Sequence, residues 1–140
     1  MNDPAATAFV LDPRLAADTG FIADWPLSRV LLMDDARFPW LILVPRRADL
    51  VEFDDLDESD RSRLQQEIVR AMRTLRAVAP CDKLNVGMLG NVVRPLHVHV
   101  VARRIGDAAW PGPVWGCGAS RRYGPDERAR FATAIRQAAE

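Results

Sequence analysis

The sequence predicts an α+β fold: a mostly antiparallel sheet with one long helix packed on a face and a second helix at the C-terminus. Three patterns predict it. Two short apolar runs, residues 29–33 and 40–44, are set off by turn residues; apolar positions recur with a helical period across residues 57–78; and residues 96–102 alternate along a strand. At 140 residues, 49% hydrophobic and 27% charged, the chain has the composition of an ordinary globular protein, and one domain spanning residues 1–140 is expected.

Taken in order, Phe9-Val10-Leu11 followed by Asp12-Pro13 reads as a short edge segment closed by a turn. Arg29-Val30-Leu31-Leu32-Met33 is a buried strand ended by Asp34-Asp35. After a six-residue connection comes Trp40-Leu41-Ile42-Leu43-Val44, β-rich and bounded by Pro39 and Pro45, so the two runs predict an antiparallel hairpin. Leu64, Ile68, Met72 and Leu75 then fall on one face of a helix that Asp57 caps and Pro80 stops. Arg63, Glu67, Arg70 and Arg73 on its other side read as a solvated surface. Residues 84–88 and 96–102 are further strands. The glycine- and proline-bearing segment 106–124 is expected to be an ordered loop pinned by Trp110 and Trp115. Residues 125–140 read as a helix that starts at Pro125 and buries Phe131, Ile135 and Ala138.

Composition narrows the function. Lys plus Arg and Asp plus Glu are both 19, a balance that argues against nucleic-acid binding by bulk charge. Cys81 and Cys117 fit neither a disulfide-dense scaffold nor a zinc spacing and read as free thiols. The N-terminal residues lack the charge and apolar core of a signal peptide, and the longest apolar run, residues 38–45, is too short to span a bilayer. A cytoplasmic protein with no membrane partner is the expectation.

All the histidine in the chain is His97 and His99. Alternation puts Leu96, Val98 and Val100 on one side of their strand and both imidazoles on the other. Imidazole titrates near neutral pH and serves as nucleophile, base or metal ligand. The spacing alone fits equally well two rings that fill a half-buried sheet face.

The flanking residues carry more information. Segment 85–103, Asn-Val-Gly-Met-Leu-Gly-Asn-Val-Val-Arg-Pro-Leu-His-Val-His-Val-Val-Ala-Arg, resembles the signature of the histidine-triad (HIT) superfamily. That signature is a Gly-Gln-x-Val-x stretch running into three histidines at alternate strand positions, then two apolar residues, a small or proline residue and often an arginine. Gly90 and Asn91 look like the Gly-Gln pair, Val93 like the valine and Arg103 like the arginine; His97 matches the middle histidine, His99 the third, and Pro95 stands at the first. Upstream, Asp34-Asp35, Leu43-Val44-Pro45-Arg46 and the long helix extend the resemblance over roughly residues 28–116.

The resemblance implies a HIT-like fold and a nucleotidyl hydrolase or transferase acting on nucleoside phosphoramidates or dinucleoside polyphosphates. His97 would attack the α-phosphorus to form a covalent nucleotidyl-histidine, and His99 would bind phosphate or handle the proton. Gly90 and Asn91 would lie near the phosphates, Asp34 or equally Asp35 would meet the ribose, and Arg94 or Arg103 would meet phosphate or equally be a surface residue. Trp40, Trp110 and Trp115 are candidates to stack on a base, or simply core. The chemistry needs no cofactor or metal, the partner is a small-molecule nucleotide, and the family implies a homodimer. Two departures matter: Pro95 removes a ring and an N–H, and Val92 stands where many family members carry a small hydroxyl residue near the leaving group. They motivate an alternative, a nucleotide-binding HIT protein with impaired catalysis. A metal site built on both imidazoles is a third reading, and carboxylates would have to complete it.

Overall fold

The computed structural model describes residues 3–4 and 8–140. The first regular element begins at Asp12, whose carboxylate accepts the backbone N–H of Arg14 at 2.8 Å, while Pro13 takes the first helical position, where no N–H is needed. The result is a short helix, α1 (Pro13–Asp18). Residues 9–11, expected as an edge segment, are irregular chain that packs Phe9 and Leu11 onto the sheet.

Helix α1 runs straight into β1 (Thr19–Asp24), a strand that its sequence conceals. Thr-Gly-Phe-Ile-Ala-Asp holds glycine and alanine, which favour strands weakly, and neighbours hold it there by pairing rather than by its own propensity. The hairpin forms as expected: β2 (Ser28–Met33) and β3 (Trp40–Pro45) pair antiparallel, from Ser28 opposite Pro45 to Leu32 opposite Leu41. A single 3-10 turn (Phe53–Asp55) leads to α2 (Glu58–Val78), whose N-cap Asp57 accepts the Asp60 N–H at 2.8 Å. Then come β4 (Lys83–Gly87), β5 (Val98–Arg103) and α3 (Pro125–Ala138).

The strands order β1-β2-β3-β5-β4, every neighbouring pair antiparallel, so β5 is inserted between β3 and the edge strand β4. Both faces of the sheet are covered. On one, Leu41, Leu43, Val98 and Val100 meet Leu64, Ala71 and Leu75 of α2 and Ile135 of α3. On the other, Leu31, Phe38, Trp40, Ile42 and Val101 form a smaller aromatic cluster closed by Leu15 of α1 and by Val114. No helix among the described residues is long and apolar enough to cross a membrane.

Two expectations about helix faces need correction. Glu67 is not on a solvated face: it is buried, and its carboxylate accepts the Leu27 and Ser28 N–H groups at 3.0 and 2.9 Å, supplying the partners those amides lack at the start of β2. Arg70 lies over the Trp25 ring at 4.2 Å and donates to the Ala139 carbonyl, so this side of α2 clamps the C-terminus; Arg63 and Arg73 are exposed as expected. In α3 it is Ala132 and Ile135 that are buried, and Ala138 points outward.

Candidate active site

Alternation along β5 sends Val98, Val100 and Ala102 into the helix-side core and leaves His97, His99, Val101 and Arg103 on the aromatic face. His97 immediately precedes β5, and the two imidazoles sit 4.9 Å apart, centroid to centroid, in an edge-to-face arrangement. Both are buried, each with 6% of its surface exposed.

The partners of the two rings fix complementary tautomers. His97 Nδ1 lies 2.7 Å from the Pro95 carbonyl oxygen. A carbonyl only accepts, so the neutral ring carries its proton on Nδ1 and leaves Nε2 with a free lone pair. Proline at position 95 gives up an N–H but keeps the carbonyl, which is the part that His97 uses. His99 is bound the other way: the Trp40 indole Nε1–H donates to His99 Nδ1 at 3.0 Å. Indole is only a donor, so His99 carries its proton on Nε2. Burial, and secondarily the neighbouring His97, lower the His99 pKa to about 3, which keeps this ring neutral across the physiological range.

Trp40 and Trp115 wall the pair. Their rings lie 5.6 and 5.3 Å from His99 and 6.3 Å from each other. Gly87, opposite His99 in the ladder, makes this possible: a Cβ there would stand 2.9 Å from the Trp115 ring. Trp40 therefore combines packing with a specific hydrogen bond, a role the sequence did not disclose because its partner is 59 residues away.

The loop before the histidines turns at Gly90, whose φ of 73° lies in the left-handed region that favours glycine. Gly90, Arg94 and His97 share the wall of a cavity of about 230 Å³, and Asn91 is exposed on the same loop. A further contributor comes from the other end of the chain. Arg14 donates to the Val92 carbonyl at 2.9 Å and pairs with Asp12, which brings α1 to the rim of the site. The Arg14 side chain and backbone hold the Asp12 carboxyl below its usual range, with a small further contribution from His97. In the sequence, Asp12-Pro13 reads only as a turn, and nothing in it signals a contact with residue 92.

The remaining expected residues are placed differently. Asp34 lines a second cavity, about 330 Å³, together with Asp35, Trp40, Trp115 and Arg122. Its oxygens already accept the Tyr123 N–H at 2.9 Å and the Arg122 and Arg128 guanidinium groups at 2.9 and 3.5 Å. Asp35 is tied to Arg37 within its own turn, which holds its carboxyl below the usual range against the upward push of burial. Arg103, expected at a phosphate, is 1% exposed: it pairs with Asp107 through two 2.8 Å bonds, donates to Asn85 and lies between the Phe38 and Trp110 rings. That pairing drops the Asp107 pKa to about 2. Every guanidinium nitrogen of Arg103 is engaged within the fold, by Asp107 or by Asn85. Trp110 packs over Arg103, away from the histidine pair. Among the described residues, no three His, Cys, Asp or Glu side chains group as metal-ion ligands.

Comparison with known proteins places this geometry. The HIT domain family matches residues 14–106. A histidine triad protein from Bradyrhizobium japonicum is 49% identical, with a TM-score of 0.92 over 94% of this chain and 98% of its own. One from Sinorhizobium meliloti is 45% identical, with a TM-score of 0.92 and the same coverage of 94% and 98%. One from Marinobacter aquaeolei is 38% identical, with a TM-score of 0.90 over 93% and 95% of the two chains. No curated protein matches the sequence.

Proposed function

This chain belongs to the histidine-triad (HIT) family, and from that premise we propose that it is a nucleotidyl hydrolase or transferase in which His97 is the nucleophile. The observation that carries the reading is the pair of opposed tautomers: an Nε2 lone pair on His97 beside an Nε2–H on His99. A nucleophile and a hydrogen-bond donor side by side are what attack on a phosphorus centre requires.

The first step forms a P–Nε2 bond at the α-phosphorus and breaks the bond to the leaving group. The Pro95 carbonyl, already bonded to Nδ1–H, stabilises the positive charge that the ring acquires. His99 Nε2–H, held neutral and correctly turned by Trp40, donates to a non-bridging phosphoryl oxygen, with backbone N–H groups around Gly90 and Asn91 as further donors. One such donor is worth about 3 kcal/mol in the transition state. Water or an acceptor phosphate then attacks phosphorus, the P–N bond breaks and the imidazole is regenerated. The protein's own side chains and backbone supply every group in this scheme, so no metal or cofactor is invoked.

The larger cavity, walled by Trp40 and Trp115, suits the nucleoside. Asp34 has three donors on its carboxylate, and a carboxylate offers about four acceptor positions, which leaves room for one ribose hydroxyl. A homodimer fits the apolar surface at the edge strand, where Val86, Met88 and Leu89 are 40%, 44% and 43% exposed; light scattering reads the mass directly. A second reading, a nucleotide binder without turnover, is favoured by Pro95 and Val92. Rapid-quench intact-mass spectrometry with a diadenosine polyphosphate decides between them. An adenylate-sized adduct on the wild type and none on His97→Ala is the expected result, while tight binding with neither adduct nor product would establish the binder.

A further inference from the structure

We propose that Arg14, the second residue of α1, is a further catalytic residue: its guanidinium binds the group that departs when His97 attacks. The inference rests on His97 as nucleophile and adds to that reading a residue outside the strand and loop that carry the histidines.

Helix α1 lies on the same face of the sheet as the two imidazoles. Leu15 is 5% exposed in the aromatic cluster with Trp40, Ile42 and Val101, while the preceding Arg14 reaches out to the rim. There its Nη1 donates to the Val92 carbonyl at 2.9 Å, a contact across 78 residues that joins α1 to the loop leading into the histidines. Nε and Nη2 donate to the two Asp12 oxygens at 3.3 Å each. Asp12 is itself close enough to His97 to respond to the charge of that ring. A guanidinium has five N–H groups, and these contacts use three. The two that remain, one on each terminal nitrogen, belong to a side chain that is 55% exposed and held in orientation by the Asp12 carboxylate.

Displacement at phosphorus decides where the departing group must point. His97 and His99 are each 6% exposed and form the floor of the site. Nε2 therefore reaches phosphorus from the floor, and because attacking and leaving atoms lie roughly in line, the departing group points to the open rim. The donors already assigned, His99 Nε2–H and the backbone N–H groups around Gly90 and Asn91, serve the phosphoryl that stays on His97. Arg14 stands at the next residue of the same loop with two N–H groups to spare. As the P–Nε2 bond forms and the bond to the leaving group breaks, the electron pair goes to the departing atom. Arg14 donates hydrogen bonds to that group and keeps its own protons; any proton the departing group needs comes from water. Other guanidinium groups on this face are committed, Arg103 to Asp107 and Asn85, Arg37 to Asp35 and Arg122 to Asp34. Arg94, on the wall of the His97 cavity, is the comparison residue.

The test separates the two chemical steps. Rapid-quench intact-mass spectrometry with a diadenosine polyphosphate follows formation and decay of the His97 adenylate in wild type, Arg14→Ala and Arg94→Ala, with urea midpoints to confirm that each variant is folded. Arg14→Ala should slow adduct formation about 10- to 100-fold, the loss expected for hydrogen bonds from a charged donor. Decay should stay within a few-fold of wild type, because the departing group has left before water attacks. Added guanidinium ion should restore part of the formation rate in Arg14→Ala, and Arg94→Ala should form its adduct within a few-fold of wild type. Formation and decay slowed together would overturn the proposal in favour of a role in holding the loop, whose N–H groups face the transferred phosphoryl in both steps. A loss confined to Arg94→Ala would give the role to that residue instead. Wild-type turnover with no adduct at any time defeats His97 as nucleophile and this inference with it, whereas an adduct that forms at the wild-type rate in Arg14→Ala defeats this inference alone.

Discussion

His99 is held neutral inside the fold, and acid should reveal it. Its pKa is 6.5 in an unstructured chain and is pushed to about 3 here, chiefly by burial. Between those values the unfolded chain binds a proton that the folded chain refuses, so stability rises with pH across this window and is lost as pH falls from about 6.5 toward about 3. At 1.36 kcal/mol per unit, the full shift sets an upper bound of about 5 kcal/mol, and the slope is at most about 1.4 kcal/mol per pH unit. Carboxylates such as Asp107, with its pKa at about 2, add their own acid dependence at lower pH. The clean quantity is therefore a difference. Urea unfolding of wild type and His99→Asn from pH 4 to 7 should give curves that converge on acidification, because only the wild type loses the His99 contribution. Parallel curves across this range would refute the claim that His99 is buried neutral, and with it the donor role drawn from its tautomer.

Other expectations follow from single contacts. Trp40→Phe keeps the ring but deletes the indole N–H, leaving His99 Nδ1 without its donor; turnover should fall about 10- to 100-fold, and 15N NMR should show the His99 proton shared between both ring nitrogens. Arg103→Ala removes a buried side chain and leaves the partly buried Asp107 without its cation, and should cost about 3 kcal/mol in chemical unfolding, while kcat/KM of the folded protein changes by only a few-fold; a selective rise in KM would instead return Arg103 to phosphate binding. Glu67→Ala leaves the Leu27 and Ser28 amides unpaired and should destabilise by about 3 kcal/mol, read from the urea midpoint. A surface glutamate would cost less than about 0.5 kcal/mol.

What the sequence discloses and what it hides have physical causes. The hairpin of residues 28–45 and helix α2 are legible because their apolar periods are long and their ends are marked by Asp57, Pro39 and Pro80. Strand β1 is not, since Thr-Gly-Phe-Ile-Ala-Asp owes its extension to pairing with β2. The histidines declare themselves by alternation and by the residues around them. Their tautomers do not, because these depend on Trp40 and on the Pro95 carbonyl, visible only once β3 and β5 lie side by side. Charged residues mislead in both directions. Glu67 reads as solvent-facing and Arg103 as a phosphate or surface residue, yet each is buried against partners that neutralise or saturate it, and Asp34 looks free although the segment 122–128 returns to cover it.

The most direct test of the account is where the nucleotide resides during turnover. Wild-type protein quenched in mid-reaction with a diadenosine polyphosphate, digested and mapped by mass spectrometry, should carry adenylate on His97 and on no other residue. The modification should form and decay at rates consistent with kcat. Adenylate on His99, or steady turnover with the His97 peptide unmodified, would contradict the assignment of His97 as the nucleophile.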